Sequence, residues 1–240
     1  FSDGEISVAF EENIRNEDVF IIQSTNPPAE NILELLLVLD AAKRASAQNV
    51  VAVIPYFGYG RQDRKDRPRV PISSRLMLDM ITAVGVSRII TMDLHSAQIQ
   101  GFANVPFDHL YSRMVLLNKL KGLSLNEESG VVLAPDVGSA KMSQSYAKKL
   151  NLGFALIDKR RPKPNQAEVA NLVGELKDKE VIIIDDMIDT AGTLCNAAET
   201  AINEGAKSVI AVATHPVLSG GAIKKLKNSP ISKVIVCDTI

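Results

Sequence analysis

The chain has 240 residues, 27 Lys plus Arg against 28 Asp plus Glu for a formal net charge of −1, and 46% hydrophobic residues. That balance belongs to a folded globular chain, long enough for one large or two small domains, and it excludes a disordered polymer. The near-neutral charge argues against a nucleic-acid binder. No run of about 20 apolar residues suggests a membrane span, and Cys195 and Cys237 are too few and too far apart for a disulfide framework or a zinc ribbon.

In chain order, candidate strands fall at Ile6–Phe10, Val19–Gln23, Val50–Pro55, Arg88–Met92, Val131–Ala134, Phe154–Ile157, Val181–Ile184, Ser208–Ala213 and Lys233–Val236. Most are continuous Val/Ile runs, as expected for strands buried on both faces of a parallel sheet. Helical spacing occupies Ala29–Ala47, Ser73–Ala83, Tyr111–Leu120, Ser139–Leu150, Thr190–Asn203 and Gly221–Leu226. Gly85, Gly153 and Gly205 follow three of these, where a left-handed cap would fall. The alternation predicts an α/β fold of two similar domains, each a mainly parallel sheet flanked by helices, over residues 1–109 and 110–240. The boundary is placed at Pro106–Tyr111, where turn residues interrupt the pattern. The chain begins at Phe1, inside a motif, and reads as trimmed at both ends. Sparse cysteine and the lack of a secretory signal pattern predict a cytoplasmic protein.

In open α/β sheets ligands bind beyond the carboxyl ends of strands, so polar residues directly after an apolar run are the candidates. The strongest is Val181–Thr193, VIIIDDMIDTAGT. Asp185 and Asp186 end the strand, and their carboxylates can accept hydrogen bonds from vicinal ribose hydroxyls. Asp189, Thr190, Ala191, Gly192 and Thr193 then open a helix, where small residues, backbone N–H groups and hydroxyls can close around a phosphate. Over D-x-A-G-T alone, an ordinary Asp/Thr-capped helix would read the same. The full thirteen-residue string is far more specific.

Four other segments carry charge to strand ends. Between Arg61 and Arg69 lie five basic and two acidic residues, a loop able to clamp a polyphosphate or to remain a solvated charged turn. Thr91–His95 places Asp93 and His95 two apart, on one face if the chain stays extended, where they could share a divalent ion with phosphate. Pro135–Lys141 is a strand-to-helix junction bearing Asp136. Asp158–Asn165, DKRRPKPN, has two prolines and four basic residues within Lys159–Pro164, and reads as a mobile basic loop.

The thirteen-residue string resembles the phosphoribosyl-diphosphate (PRPP) binding motif of the type I phosphoribosyltransferase fold. With FSDGE (Phe1–Glu5), GYGRQDRKDRPRVPIS (Gly58–Ser73), TMDLHSAQIQGF (Thr91–Phe102), APDVGSAK (Ala134–Lys141) and DKRRPKPN, the whole chain resembles the ribose-phosphate diphosphokinase family. The resemblance implies transfer of the diphosphoryl group of ATP to the C1 hydroxyl of ribose 5-phosphate, with Mg2+. It implies an ATP-side domain over 1–109 and a ribose 5-phosphate domain with a catalytic loop over 110–240. By the same resemblance Lys159 and Arg161 are catalytic, with Arg161 also near ribose 5-phosphate. Phe1, Asp3, Gly4, Glu5, Arg61, Gln62 and His95 contact ATP. Asp185, Asp186 and Asp189–Thr193 hold ribose 5-phosphate, and Asp93, His95 and Asp136 face the metal. Phe1–Glu5 reaches a neighbouring subunit's site in the family, so the resemblance implies a dimer with a composite ATP site, and a hexamer of dimers. Arg69, Gln100 and Asp108 match positions of a second, regulatory anion site. The family usually has Gly-Gly where this chain has Gly138-Ser139, and Ser narrows the backbone freedom there. His109 and His215 match nothing and read as structural. The alternative reading is a non-catalytic regulatory homologue, set aside because Lys159 and Arg161 are both present.

Overall fold

The computed structural model describes residues 1–160 and 169–240, without the side chains of 159, 160, 169 and 170. The chain divides into two units, Phe1–Tyr111 with Thr239–Ile240, and Ser112–Asp238. The last two residues therefore join the first unit, where Ser24 Oγ donates to the Thr239 carbonyl at 2.5 Å.

The first unit holds a four-stranded parallel sheet in the order β1 (Asp18–Ile22), β2 (Asn49–Ile54), β3 (Arg88–Met92) and β4 (Phe107–Leu110). Helices α1 (Glu30–Arg44) and α2 (Ser73–Ala83) are its crossovers. Leu35, Leu39 and Ala42 of α1, and Leu78 and Ile81 of α2, pack with Ala52, Ile54 and Ile89 of the sheet in one core. Burying one such aliphatic side chain stabilises the fold by roughly 1.5–3 kcal/mol. The predicted strand Ile6–Phe10 does not form; it pairs with no strand of this sheet and is without regular structure. Alternating apolar residues make a strand only where a neighbour accepts their backbone hydrogen bonds. Strand β4 escapes sequence reading because it is an edge strand of four residues, FDHL, with no continuous apolar run.

The second unit is a six-stranded sheet in the order β10 (Ile231–Val236), β9 (Ser208–His215), β8 (Glu180–Met187), β5 (Gly130–Ala134), β6 (Gly153–Arg160) and β7 (Val169–Val173). All neighbours are parallel except β6 and β7, which form an antiparallel pair ending at Arg160↔Val169. Helices α3 (Arg113–Lys121), α4 (Ala140–Leu150), α5 (Gly192–Asn203) and α6 (Ala222–Asn228) flank the sheet. Alternate residues of β5 and β8 feed two cores. Val131, Leu133, Val181 and Ile183 meet α5, and Val132, Ile182 and Ile184 meet α3 and α4. Ala197, Ala198 and Ala201 let α5 lie close on the sheet.

Two details differ from the sequence reading. The basic segment after Ile157 is not loop from its start, because β6 continues through Arg160 along β7. The left-handed cap after α4 is Asn151 (φ 54°) rather than Gly153, which begins β6. Asn tolerates that conformation because its short amide bonds locally. Gly85 (φ 96°) and Gly205 (φ 85°) do take positive φ just beyond α2 and α5.

Candidate active site

In the second unit, β8 runs three residues further than its apolar core. Asp185 pairs with Ala213 and Met187 with His215, so both carboxylates stand on strand backbone. Asp186 N–H donates to Asp185 Oδ1 at 2.9 Å. Burial, with the negative charges of Asp186 and Asp136 beside it, pushes the Asp185 carboxyl up to about 8. A buried acid facing like charges holds its proton until a cation or a donor replaces it.

After β8 the backbone is pinned twice, Ile188 N–H to the His215 carbonyl at 2.9 Å and Leu218 N–H to the Ile188 carbonyl at 2.8 Å. Ser219 Oγ donates to Asp189 Oδ1. Ala191 then takes a left-handed conformation, φ 60°, ψ 6°, immediately before α5. This is unusual for a residue with a Cβ and costs on the order of 1 kcal/mol. No side chain caps α5, so its first-turn N–H groups stay available to an anion. Thr190 and Thr193 are exposed on either side.

The β5–α4 junction is built alike. Asp136 Oδ1 accepts Ser139 N–H at 2.9 Å, and Ser139 Oγ donates back to the Asp136 carbonyl at 3.0 Å. Ser139 sits at φ −85°, ψ −6°, a region open to any residue. Its departure from the family's Gly-Gly therefore strains nothing and adds a hydrogen bond. A Cβ on Gly138 would lie 3.2 Å from Asp136 Oδ1, so this glycine gives the carboxylate room. Lys159 lies in β6 with its side chain outside the described residues, and Arg161 lies outside them altogether.

In the first unit, Gly58 follows β2 so closely that a Cβ would stand 2.0 Å from the Thr25 carbonyl oxygen. Its N–H donates to Thr25 Oγ1 at 2.7 Å. Gln62 is tied to the start of α2, receiving Ser73 Oγ at Oε1 (2.5 Å) and Ser74 N–H at its carbonyl (3.2 Å). Arg61 beside it is exposed.

Asp93 lies just past β3 at φ 37°, so the extended-chain argument for a shared face with His95 does not hold; a left-handed residue breaks the alternation. Asp93 N–H donates to the Leu110 carbonyl and Leu94 N–H to His109 Nε2, both at 2.9 Å. The His109 ring packs against Tyr111, centroids 4.4 Å apart and planes tilted by 40°, and burial lowers its pKa against the opposing charge of Asp93. Sequence reading left His109 out of the site, and only the register of β4 against β3 reveals its place. Asp108 receives Arg88 at 2.7 Å across the same pair. Phe1, Asp3, Gly4 and Glu5 form an exposed turn with Gly4 N–H on the Phe1 carbonyl at 3.1 Å. Among the described residues no three His, Cys, Asp or Glu side chains are grouped to hold a metal, and no helix is long and apolar enough to cross a membrane.

A strand-end carboxylate pair running into an uncapped helix, within a mainly parallel sheet, defines a phosphoribosyltransferase-type α/β protein. Residues 1–85 match the N-terminal domain of ribose phosphate pyrophosphokinase, and residues 115–240 match the phosphoribosyl transferase domain. The ribose-phosphate pyrophosphokinase of Chlorobaculum tepidum is 53% identical over 240 residues, covering 100% of this chain and 74% of that one. That of Caldanaerobacter subterraneus is 52% identical over 241 residues, covering 100% and 76%. The crystal structure of phosphoribosylpyrophosphate synthetase from Mycobacterium smegmatis superposes with a TM-score of 0.91 at 38% identity, over 100% of this chain and 78% of that one. The chain belongs to the ribose-phosphate pyrophosphokinase family.

Proposed function

We propose that this chain transfers the diphosphoryl group of ATP to the C1 hydroxyl of ribose 5-phosphate, giving PRPP and AMP for nucleotide biosynthesis. The observation that carries the site reading is the continuous segment from Asp185 to α5. Two adjacent carboxylates are followed by a pinned turn and an uncapped helix start. Vicinal hydroxyls suit the first and a phosphate monoester the second.

In this reading Asp185 and Asp186 orient the ribose ring, and Asp189–Thr193 hold the 5-phosphate. The C1 oxygen attacks the β-phosphorus in line. An O–Pβ bond forms, the Pβ–O bond to the α-phosphate breaks, AMP leaves, and the hydroxyl proton is lost as attack proceeds. Catalysis is positioning plus charge neutralisation. Lys159 and Arg161 supply positive charge to the migrating group. Arg61 and Gln62 hold ATP, with Gln62 preorganised on α2. By the family's pattern Asp93 and His95 in the first unit, and separately Asp136 in the second, are the residues that would face Mg2+, which neutralises the triphosphate when bound. A few oxygen donors, one of them fixed by Ser139 N–H, fit a hard cation that completes its shell with phosphate and water. Residues 1–109 form the ATP side and 110–240 the ribose 5-phosphate side of a cytoplasmic enzyme. The exposed Phe1–Glu5 turn, with Phe1 76% accessible, supports a purine contact in a neighbouring subunit. The working unit is then a dimer with a composite ATP site, assembled into a hexamer.

Product identity tests this. With ATP, Mg2+, phosphate and ribose 5-phosphate, equal AMP and PRPP should form, and Lys159→Ala should nearly abolish both. ADP in place of AMP would mean an ordinary kinase. Binding of ATP without turnover would mean a regulatory homologue.

A further inference from the structure

The end of β3 carries a feature that the reaction above does not use. Leu94 is buried, while Asp93 and His95 on either side are partly or fully exposed. The segment is held in an unfavourable left-handed turn at Asp93 by two hydrogen bonds to the end of β4, one to the Leu110 carbonyl and one to His109 Nε2. The second bond is informative about chemistry. A nitrogen that accepts a backbone N–H carries no proton, so the ring is neutral and its proton is on Nδ1. That Nδ1 is buried and has no partner among the described residues. A histidine retained only for packing would be expected to satisfy its buried donor. This ring leaves the donor unsatisfied and keeps the acceptor aimed at Leu94.

We propose that His109 is a positioning residue for the Mg·ATP end of the site. Its Nε2 clamps the Leu94 N–H and thereby sets the direction of Asp93 and His95. The arrangement follows the rule that ligand side chains need outer partners to fix their geometry. Here the partner grips the backbone between two candidate ligands instead of touching either. Tyr111, tilted against it with centroids 4.4 Å apart, braces the ring. The proposal rests on the assignment of Asp93 and His95 made above.

Calorimetric titration of Mg·ATP into the full chain without ribose 5-phosphate, beside steady-state kinetics with ATP, Mg2+ and ribose 5-phosphate varied separately, tests it. His109→Phe keeps an aromatic ring against Tyr111 but has no acceptor, and His109→Gln can present a carbonyl oxygen in place of Nε2. The expected result is a rise of about tenfold or more in the Mg2+ requirement and in KM for ATP in His109→Phe. KM for ribose 5-phosphate should be unchanged, and His109→Gln should recover to within about threefold of the parent, on the same tenfold scale. Should His109→Phe fail to fold, His109→Leu takes its place in the comparison with His109→Gln. Equal impairment of the acceptor and non-acceptor variants, or none in either, overturns the proposal. His95→Ala, run beside them, separates the two levels. If it raises KM for ATP while His109→Phe does not, only the role of His109 is wrong. If it too has no effect, the assignment of Asp93 and His95 falls and the role of His109 falls with it.

Discussion

The ends of β3 and β8 solve one problem in two ways. At the end of β8 the candidate contacts are nine consecutive residues, Asp185 to Thr193, and the strand passes directly to a helix whose first N–H groups are uncapped. Beyond β3 no α-helix follows, only a six-residue 3-10 helix, Ala97–Phe102. The chain bends at Asp93 and is held by the end of β4, from His109 and Leu110, fifteen or more residues later. One end is built from local sequence and the other from strand register. The difference predicts where each breaks. The β8 end should fail when its own side chains are changed, and the β3 end when its neighbour strand is.

The largest effect should come at β8. Asp185→Ala or Asp186→Ala should reduce turnover roughly 100–1000-fold, as removal of a preorganised polar contact does. KM for ribose 5-phosphate should be affected more than KM for ATP, and equal loss for both substrates would contradict a local ribose site.

Next is backbone room in the first unit. Gly58→Ala must displace the Thr25 carbonyl from 2.0 Å and should cost about 2–4 kcal/mol, within the range of severe single substitutions. Denaturant unfolding would measure it, and an unchanged midpoint would show that this turn yields easily.

The acid cluster predicts a pH dependence. In the unfolded chain Asp185 loses its proton near pH 4, whereas in the native state it keeps it to about 8. The native protein binds the extra proton in that window, so this group's contribution to stability is fully present below pH 4 and is lost as pH rises toward 8. Asp185→Asn should flatten that fall in thermal melts of the ligand-free protein and raise Tm at pH 8. A fall of the same slope in the variant would remove Asp185 as its source.

Smaller still is Ser139→Ala, which deletes the hydroxyl bond to the Asp136 carbonyl but keeps the N–H bond to Oδ1. It should cost about 1 kcal/mol and change KM for ATP by no more than about fivefold, since about 1.4 kcal/mol is a factor of ten. Ala191→Gly should be nearly silent in Tm. Relief of the positive φ, roughly 1 kcal/mol, is offset by loss of a buried methyl worth about 0.8 kcal/mol.

Much of this molecule is legible in its sequence, for identifiable reasons. Strand β3 and helix α2 lie where the apolar pattern put them, Arg88–Met92 and Ser73–Ala83, because both bury a face and so carry a clear period. Edge strands β4 and β7 carry no such signal. Each has a hydrogen-bonded neighbour on one side only, and FDHL sets two polar residues between two apolar ones, as a turn could. The β8 string was legible because its chemistry and its scaffold are contiguous. His109 was not, since a histidine in an edge strand looks the same whether its ring packs idly or holds a loop.

The sequence alone determined the α/β class, the positions of most buried strands along the chain, the ribose-phosphate string and the family. Each depends on residues close together in the chain, whose side chains state their burial and chemistry directly. Only the tertiary structure decided that Asp93 bends the chain, that Ser139 secures Asp136 without strain, that burial beside Asp186 and Asp136 keeps Asp185 protonated, and that His109 grips Leu94. Those depend on distance and dielectric between segments remote in sequence, quantities that exist only once the sheets have formed.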